Sequence, residues 1–359
     1  MEPRTIRPYV ALPCFCLLLY AMEFALNINN LKKTYRTRVA GQSWAESVQQ
    51  FLRPKHRNIE AIRGISFAVR PGEKIAFVGP NGAGKSTTIK ILTGILHPTD
   101  GSATVMGYVP WKDRRRLSYS TGTVFGQRSQ LWYHLPVGDT LKLLGKVYNL
   151  APNMYRDRLH DLVQVFEIEA LLQTPVRQLS LGQRMRCELV ASLLHRPKIL
   201  LLDEPSIGLD VSAKAAVRDL INSYSQREGT TVLLTSHDTG DMEQVCDRII
   251  LINHGLIVLD YTLEELRKRY IKKKVLEVQS SEAKIDVDIS PTSKEDSLHG
   301  VTVIERKPHK TTLEVDLEQI SLDKVVRSLV SKVSIRDLTI QDPPLEEIMQ
   351  LIYREHRVE

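Results

Sequence analysis

Gly79-Pro80-Asn81-Gly82-Ala83-Gly84-Lys85-Ser86-Thr87 is the stretch on which the reading of this chain turns. It satisfies the G-x-x-x-x-G-K-[ST] spacing, and it lies between the apolar run Ile75 to Val78, which reads as a strand, and the helical run Thr88 to Thr93. Glycines at 79, 82 and 84 allow backbone conformations that turn successive N–H groups toward one point. The helix N-terminus that follows adds a positive dipole end at the same place. Such a cradle holds a phosphate, with Lys85 as a point charge for the terminal phosphates and the Ser86 hydroxyl as a ligand for Mg²⁺. A merely Gly-rich turn is the alternative, and the strand and helix on either side weigh against it.

Further along, Ile199-Leu200-Leu201-Leu202-Asp203-Glu204-Pro205 places four aliphatic residues before two carboxylates, and strand alternation aims the two at different targets. Asp203 is the expected Mg²⁺ anchor. Glu204 is the expected base that polarises an attacking water. Ile75 to Val78, Ile199 to Asp203 and Thr231 to Thr235 read as strands of a buried parallel sheet linked by helices. Each ends on chemistry-bearing residues, where open α/β sheets bind their ligands.

Other segments stand in a definite order around this pair. Leu179-Ser180-Leu181-Gly182-Gln183-Arg184 comes about twenty residues before Asp203-Glu204, Gln127 lies in Val124-Phe125-Gly126-Gln127, Ser206-Ile207-Gly208-Leu209-Asp210 follows the carboxylates, and His237 closes Thr235-Ser236-His237. Taken together these resemble the ATP-binding subunit of an ABC transporter, over about Phe24 to Tyr270. The resemblance implies an α/β fold of the ABC-type P-loop NTPase with an inserted helical subdomain, at about 128–195, and ATP hydrolysis with Mg²⁺. It assigns nucleotide contacts to Gly79 through Thr87 and to Ser180, Gly182, Gln183 and Asp210. The Mg²⁺ ligands would be Ser86, Gln127 and Asp203, and the catalytic groups Glu204, His237 and Gln127. A histidine after an apolar strand would by itself be an ordinary core or loop residue; the order of the motifs is what gives His237 a role.

Ser180 and Gly182 open a helix that continues through Met185 to Leu194, so a hydroxyl and free amides make a second anion site. By resemblance that site faces an opposite subunit, and two chains, as a homodimer or heterodimer, would clamp two ATP molecules. Leu181 stands where the family's first signature glycine is usual, which suggests a looser or slower clamp. The resemblance also implies an aromatic ring that stacks on the adenine, and Tyr35 is the candidate for it, since stacking needs only an exposed aromatic face.

The full composition is that of a globular protein: 359 residues, 42% hydrophobic and 25% charged, a length that allows roughly two domains at ~150 residues each. The four cysteines form neither a CxxC pair nor a metal-type cluster, which excludes a disulfide framework or zinc site as the organising feature. The longest apolar run, Val10 to Ala21, is shorter than the roughly twenty residues a membrane helix needs. A transporter ATPase of this kind therefore implies a separate membrane-embedded permease and a peripheral place at the cytoplasmic face of the membrane. Gly107 to Trp111, Gln127 to Trp132 and Pro344 to Ile348 most resemble the branch serving multidrug, viologen-like or polysaccharide export permeases. The net charge of +7 leaves a second class open, a soluble mechanochemical ATPase of the same superfamily acting on nucleic acid or ribosomes. A single phosphate loop and no sustained heptads argue against it, so no nucleic-acid partner is expected. The basic clusters Lys112 to Arg116 and Arg267 to Lys274 read as solvated faces or as faces toward anionic lipid.

Residues 1–21 precede a second methionine, Met22, and read as an over-long gene start or as a short membrane-surface anchor. Between Thr34 and Glu60 a polar stretch with Gly41, Trp44 and Pro54 reads as an inserted loop or short helix. Trp132 and Tyr133 have two readings: core of the helical subdomain, or, by resemblance, the groove that receives a short helix of the permease. Helical spacing marks Val211 to Arg227 and Thr239 to Asp247, and Asn253-His254-Gly255 signals a hairpin at the sheet edge. The ATPase domain is expected at 22–270. In 271–359, alternating strands and the helical runs Leu322 to Val330 and Leu345 to Tyr353 suggest a small α+β accessory domain without a catalytic motif.

Overall fold

The structure, a computed structural model, describes residues 23–38, 56–126, 128–281 and 299–356. The readings placed on 1–21, on Gly41, Trp44 and Pro54, and on Gln127 lie outside the described residues. The chain divides into two units, with the boundary between Asp260 and Tyr261. The helix Leu263–Tyr270 thus belongs to the second unit, ten residues before the domain end read from the sequence.

The first unit is built on a six-stranded sheet of β3 (Lys74–Val78), β5 (Thr121–Phe125), β6 (Ile199–Asp203), β7 (Thr231–Thr235), β8 (Arg248–Asn253) and β9 (Leu256–Thr262), in the order β5-β6-β7-β3-β8-β9. The first five run parallel. Their residues are almost continuously apolar and buried, as strands covered on both faces must be. β9 returns through His254 and Gly255, whose φ angles of 46° and 76° are the pair a two-residue hairpin turn requires.

A three-stranded antiparallel sheet, β2-β1-β4, is made by β1 (Leu26–Arg38), β2 (His56–Val69) and β4 (Asp100–Val105). Leu26, Ile28, Ile65 and Phe67 from it share one core with Ile75, Phe77, Leu201, Leu233 and Ile250 of the parallel sheet. The Phe67 and Phe77 rings stack 5.5 Å apart within that core. Burial of each such side chain is worth roughly 1.5–3 kcal/mol, so this layer fixes where the strand ends lie. The ends of the polar stretch read as a loop or short helix are strand instead: Thr34 to Arg38 pair with Glu60 to His56. The period is obscured because most of these residues are solvated on both faces.

Between β5 and β6 come the helices Val137–Val147, Pro152–Phe166 and Leu181–Leu193. The second unit holds an antiparallel sheet of β10 (Lys273–Ser280), β11 (Val301–Lys307), β12 (Lys310–Asp316) and β13 (Ile335–Gln341), ordered β11-β12-β10-β13. Leu276, Val278, Leu313 and Val315 pack against Val325 and Leu329 of the helix Leu322–Lys332. β13 had no clear sequence signature, because it is a half-exposed edge strand.

Candidate functional site

Parallel strands direct their carboxyl ends to one edge, and that topology gathers residues far apart in sequence: Gly79 follows β3, Gly126 follows β5, Asp203 ends β6 and Thr235 ends β7. After β3 the loop enters the helix Lys85–Leu92, capped by Gly84 at φ 112°. Any Cβ at 84 would come within 2.6 Å of the Ala61 carbonyl oxygen, and one at 79 within 2.0 Å of that of Ile252. Glycine is thus demanded at both positions by close backbone approach. Thr88 N–H bonds to Gly84 O at 2.9 Å, which leaves the amides of Lys85, Ser86 and Thr87 ahead of it at the helix N-terminus.

Lys85 Nζ donates to Gly79 O at 2.7 Å and Pro80 O at 3.2 Å, and lies 3.2 Å from His237 Nε2. Burial pulls the ammonium below the ordinary lysine range, while the nearby carboxylates of Glu204 and Asp203 act to keep it charged. Asp203 Oδ1 accepts from Ser86 Oγ at 3.3 Å and Thr235 Oγ1 at 2.7 Å. The Glu204 amide bonds to the carbonyl and the hydroxyl of the same Thr235. Glu204 adopts φ 55°, unusual for a residue with a side chain, and this turn sends its carboxylate to His237, with Oε1 3.1 Å from Nε2. Ser86, Asp203, Glu204, His237 and Asn81 line a cavity of about 390 Å³ with Arg128, a cation not anticipated although it follows Gln127 directly.

At the second anion site Ser180 caps the helix Leu181–Leu193 in a reciprocal box: its Oγ accepts from the Gln183 amide, and its own amide donates to Gln183 Oε1. A cleft of about 440 Å³ runs from Ser180, Leu181, Gly182 and Gln183 to Gly208 and Asp210. A Cβ placed at Gly208 would stand 3.0 Å from Leu181 Cδ2, so the leucine fills the space beside it. The Asp210 side chain, expected at the nucleotide, caps the helix Val211–Glu228 by accepting from the Ala213 amide at 2.8 Å. Tyr35 comes beside the phosphate loop, its hydroxyl 3.5 Å from Thr87 Oγ1, with the Lys33 ammonium 5.3 Å from its ring centre.

Trp132 and Tyr133 are not core: they are 44% and 55% exposed. Just before them, Ser129 and the Gln130 amide are held by the buried carboxylate of Glu188 on the helix Leu181–Leu193. Glu188 was missed because a single acidic residue inside a helix carries no motif. Thr235 was recognised only as a strand end, since nothing in a β-branched run marks its hydroxyl as a bridge.

The family model described as "ABC transporter" matches residues 62–207. The ABC transporter ATP-binding protein NatA of Bacillus subtilis is 30% identical over 212 residues, which cover 59% of this chain and 86% of that protein. The chain belongs to the ABC transporter ATP-binding family. The linearmycin resistance ATP-binding protein LnrL of Bacillus subtilis is 28% identical over 292 residues, 80% of this chain and 91% of that protein. A solved structure of the ATP-binding subunit of an ABC transporter superposes with a TM-score of 0.56 at 26% identity, covering 68% of this chain and 93% of that one. This ABC protein is an ATPase, and proteins of its family dimerise and work with membrane permeases. Among the described residues no helix is long and apolar enough to cross a membrane.

The residues present fit Mg²⁺·ATP. Ser86 and Asp203 offer hard oxygen donors side by side, and no group of three His, Cys, Asp or Glu among the described residues could hold a metal without other ligands. Two protein oxygens completed by phosphate and water is the arrangement Mg²⁺ favours.

Proposed function

We propose that this chain is the ATP-hydrolysing subunit of an exporter, driving a separate membrane permease from the cytoplasmic face through closure of an ATPase dimer. The observation that carries the reading is the convergence of Lys85 Nζ, His237 Nε2 and Glu204 Oε1, at 3.2 and 3.1 Å, next to the Ser86–Asp203 pair. Lys85 and the amides that open the helix Lys85–Leu92 bind the β- and γ-phosphates of ATP, and Tyr35 stacks on the adenine. Ser86, Asp203 and Gln127 would hold Mg²⁺, which neutralises charge on the transferred phosphoryl group. Glu204 takes the proton of the attacking water, and His237 orients that water and the γ-phosphate. Ser180, Gly182 and Gln183 present a second anion site to the ATP of the opposite subunit, whether that subunit is identical or not.

Outward transport is supported by the resemblance of segments 107–111, 127–132 and 344–348 to the exporter branch, and by a relative whose name records resistance to linearmycin. The exposed rings of Trp132 and Tyr133 suit a groove for a short permease helix. Reconstitution with a membrane permease that co-purifies with this chain tests the reading: ATP-dependent outward flux is expected, lost in Glu204→Gln. ATPase activity stimulated by nucleic acid, with no response to any permease, would replace it with the soluble class.

A further inference from the structure

Outside the residues assigned to the nucleotide, the first unit contains a buried polar cluster centred on Asp241, which is 2% exposed. Asp241 lies in the first turn of the helix Thr239–Val245. Its Oδ2 accepts hydrogen bonds from Ser206 Oγ and, at 2.5 Å, from Ser236 Oγ; its Oδ1 accepts from Arg218 Nε at 2.6 Å. Arg218 Nη2 continues to Asp238 Oδ1 at 2.7 Å, and Lys214 Nζ reaches Asp238 Oδ2 at 2.6 Å. Two carboxylates are balanced by two cations, so the cluster is electrically closed, as a buried ionic group must be to remain folded. The segment wraps closely around the guanidinium: a Cβ on Gly240 would come within 2.9 Å of its nitrogens.

The position of the two serines gives the cluster a use. Ser206 lies two residues after Glu204, and Ser236 immediately precedes His237. One carboxylate oxygen thus ties together the two chain segments whose side chains meet at 3.1 Å in the site. A cavity of about 260 Å³ lies between them, lined by Glu204, Ser206, Lys214, Ser236, His237 and Asp238. The Glu204 amide is tied to Thr235 at the strand ends, and the Asp241 carboxylate adds a second tie beyond them, between Ser206 and Ser236, on the far side of that space.

We propose that Asp241 is a positioning residue, which sets the spacing of Glu204 and His237 through the hydroxyls of Ser206 and Ser236. The inference rests on the roles given above to Glu204 and His237. Asp241 itself touches no nucleotide. It acts by holding two catalytic loops in one register, and misplacement of reacting groups by about 1 Å is enough to cost on the order of a hundredfold in rate.

The experiment compares Asp241→Asn, Asp241→Glu, Ser206→Ala and Ser236→Ala in the full chain, with nucleotide affinity measured by a fluorescent ATP analogue and turnover by phosphate release. Asp241→Asn is expected to lower kcat on the order of tenfold or more with KM and analogue affinity within about twofold, and Asp241→Glu to restore part of it. Adding Ser236→Ala to Asp241→Asn should cost nothing further, because both remove the same tether. The serine variants delete one hydroxyl each and keep the Arg218 pair, so they decide the matter even if Asp241→Asn folds poorly. Normal kcat in both serine variants, or a fall in melting temperature with normal turnover per folded molecule, overturns the proposal. Glu204→Gln is run in parallel: its loss of turnover beside unaffected serine variants defeats only the role of Asp241, whereas full turnover in Glu204→Gln defeats the reading of the site itself.

Discussion

His237 Nε2 lies 3.1 Å from Glu204 Oε1. The same nitrogen is 3.2 Å from Lys85 Nζ, and an ammonium can only donate. A bare Nε2 accepts from Lys85 and an Nε2–H donates to Glu204, so His237 cannot serve both at once. In the proposed mechanism the γ-phosphate is the better acceptor for Lys85, which would free His237 to face the water and the carboxylate.

Glu204→Gln should therefore retain nucleotide binding and lose at least about a hundredfold in turnover, the scale of general-base catalysis. His237→Ala should lose turnover as well, with less effect on binding than any change at Lys85. Single-turnover phosphate release and analogue binding measured on the same samples distinguish these outcomes. Near-normal turnover in Glu204→Gln would remove it as the base.

Lys85→Ala should abolish ATP binding, because the loop carbonyls of Gly79 and Pro80 lose their donor and the phosphates their charge. Lys85→Arg should not restore it, since a planar guanidinium does not replace a compact ammonium at a site this enclosed. Equilibrium dialysis with radiolabelled ATP provides the measurement.

Leu181→Gly should raise the steady-state ATPase rate several-fold at saturating ATP. The leucine lines the cleft beside Gly182 and Gly208, and a glycine there would permit closer approach of backbone to a phosphate. Leu181→Phe should lower the rate. If both variants hydrolyse like the parent, the side chain does not limit closure.

Trp132→Ala and Tyr133→Ala should leave the basal ATPase of the isolated chain within about twofold, because exposed rings contribute little to its stability. Transport through the reconstituted permease should fall by at least about tenfold, the range expected of aromatic interface anchors. Equal loss of both activities would count against docking at these rings.

Stability should decline as pH falls from 6.5 toward 4. The buried His195 imidazole bonds through Nε2 to the Thr121 carbonyl at 3.1 Å and stacks on Tyr148 at 3.9 Å, while Nδ1 has no partner. Burial holds its pKa down to about 4 from an ordinary 6.5. Between these values the unfolded chain takes up a proton that the folded chain refuses, so the stability present above 6.5 is lost on acidification, by at most about 3 kcal/mol. Urea midpoints at pH 7.5 and 4.5 should differ less in His195→Gln than in the parent; an identical pH dependence would show that another group is responsible.

The phosphate loop, the Asp203-Glu204 strand end and the helix opened by Ser180 were legible because each depends on local rules: glycine where backbone must approach closely, apolar runs where a strand is covered on both faces, a hydroxyl where a helix begins. The hairpin at His254-Gly255 was legible for the same reason. The strand pairing of Thr34 to Arg38 with His56 to Glu60 was not, because two solvated faces leave no alternation to read. Trp132 and Tyr133 had two readings until their exposure excluded the core.

The phosphate-loop pattern and the order of the other motifs were thus enough to carry the resemblance to the family, since these are properties of short segments and of their sequence separation. Tertiary structure decided which side chains meet. Asp210 caps the helix Val211–Glu228, Thr235 became the bridge between Asp203 and Glu204, and Asp241 gathered two serines thirty residues apart. The physical reason is that a buried polar group must find its partner across the folded sheet, and no local pattern records which group that will be.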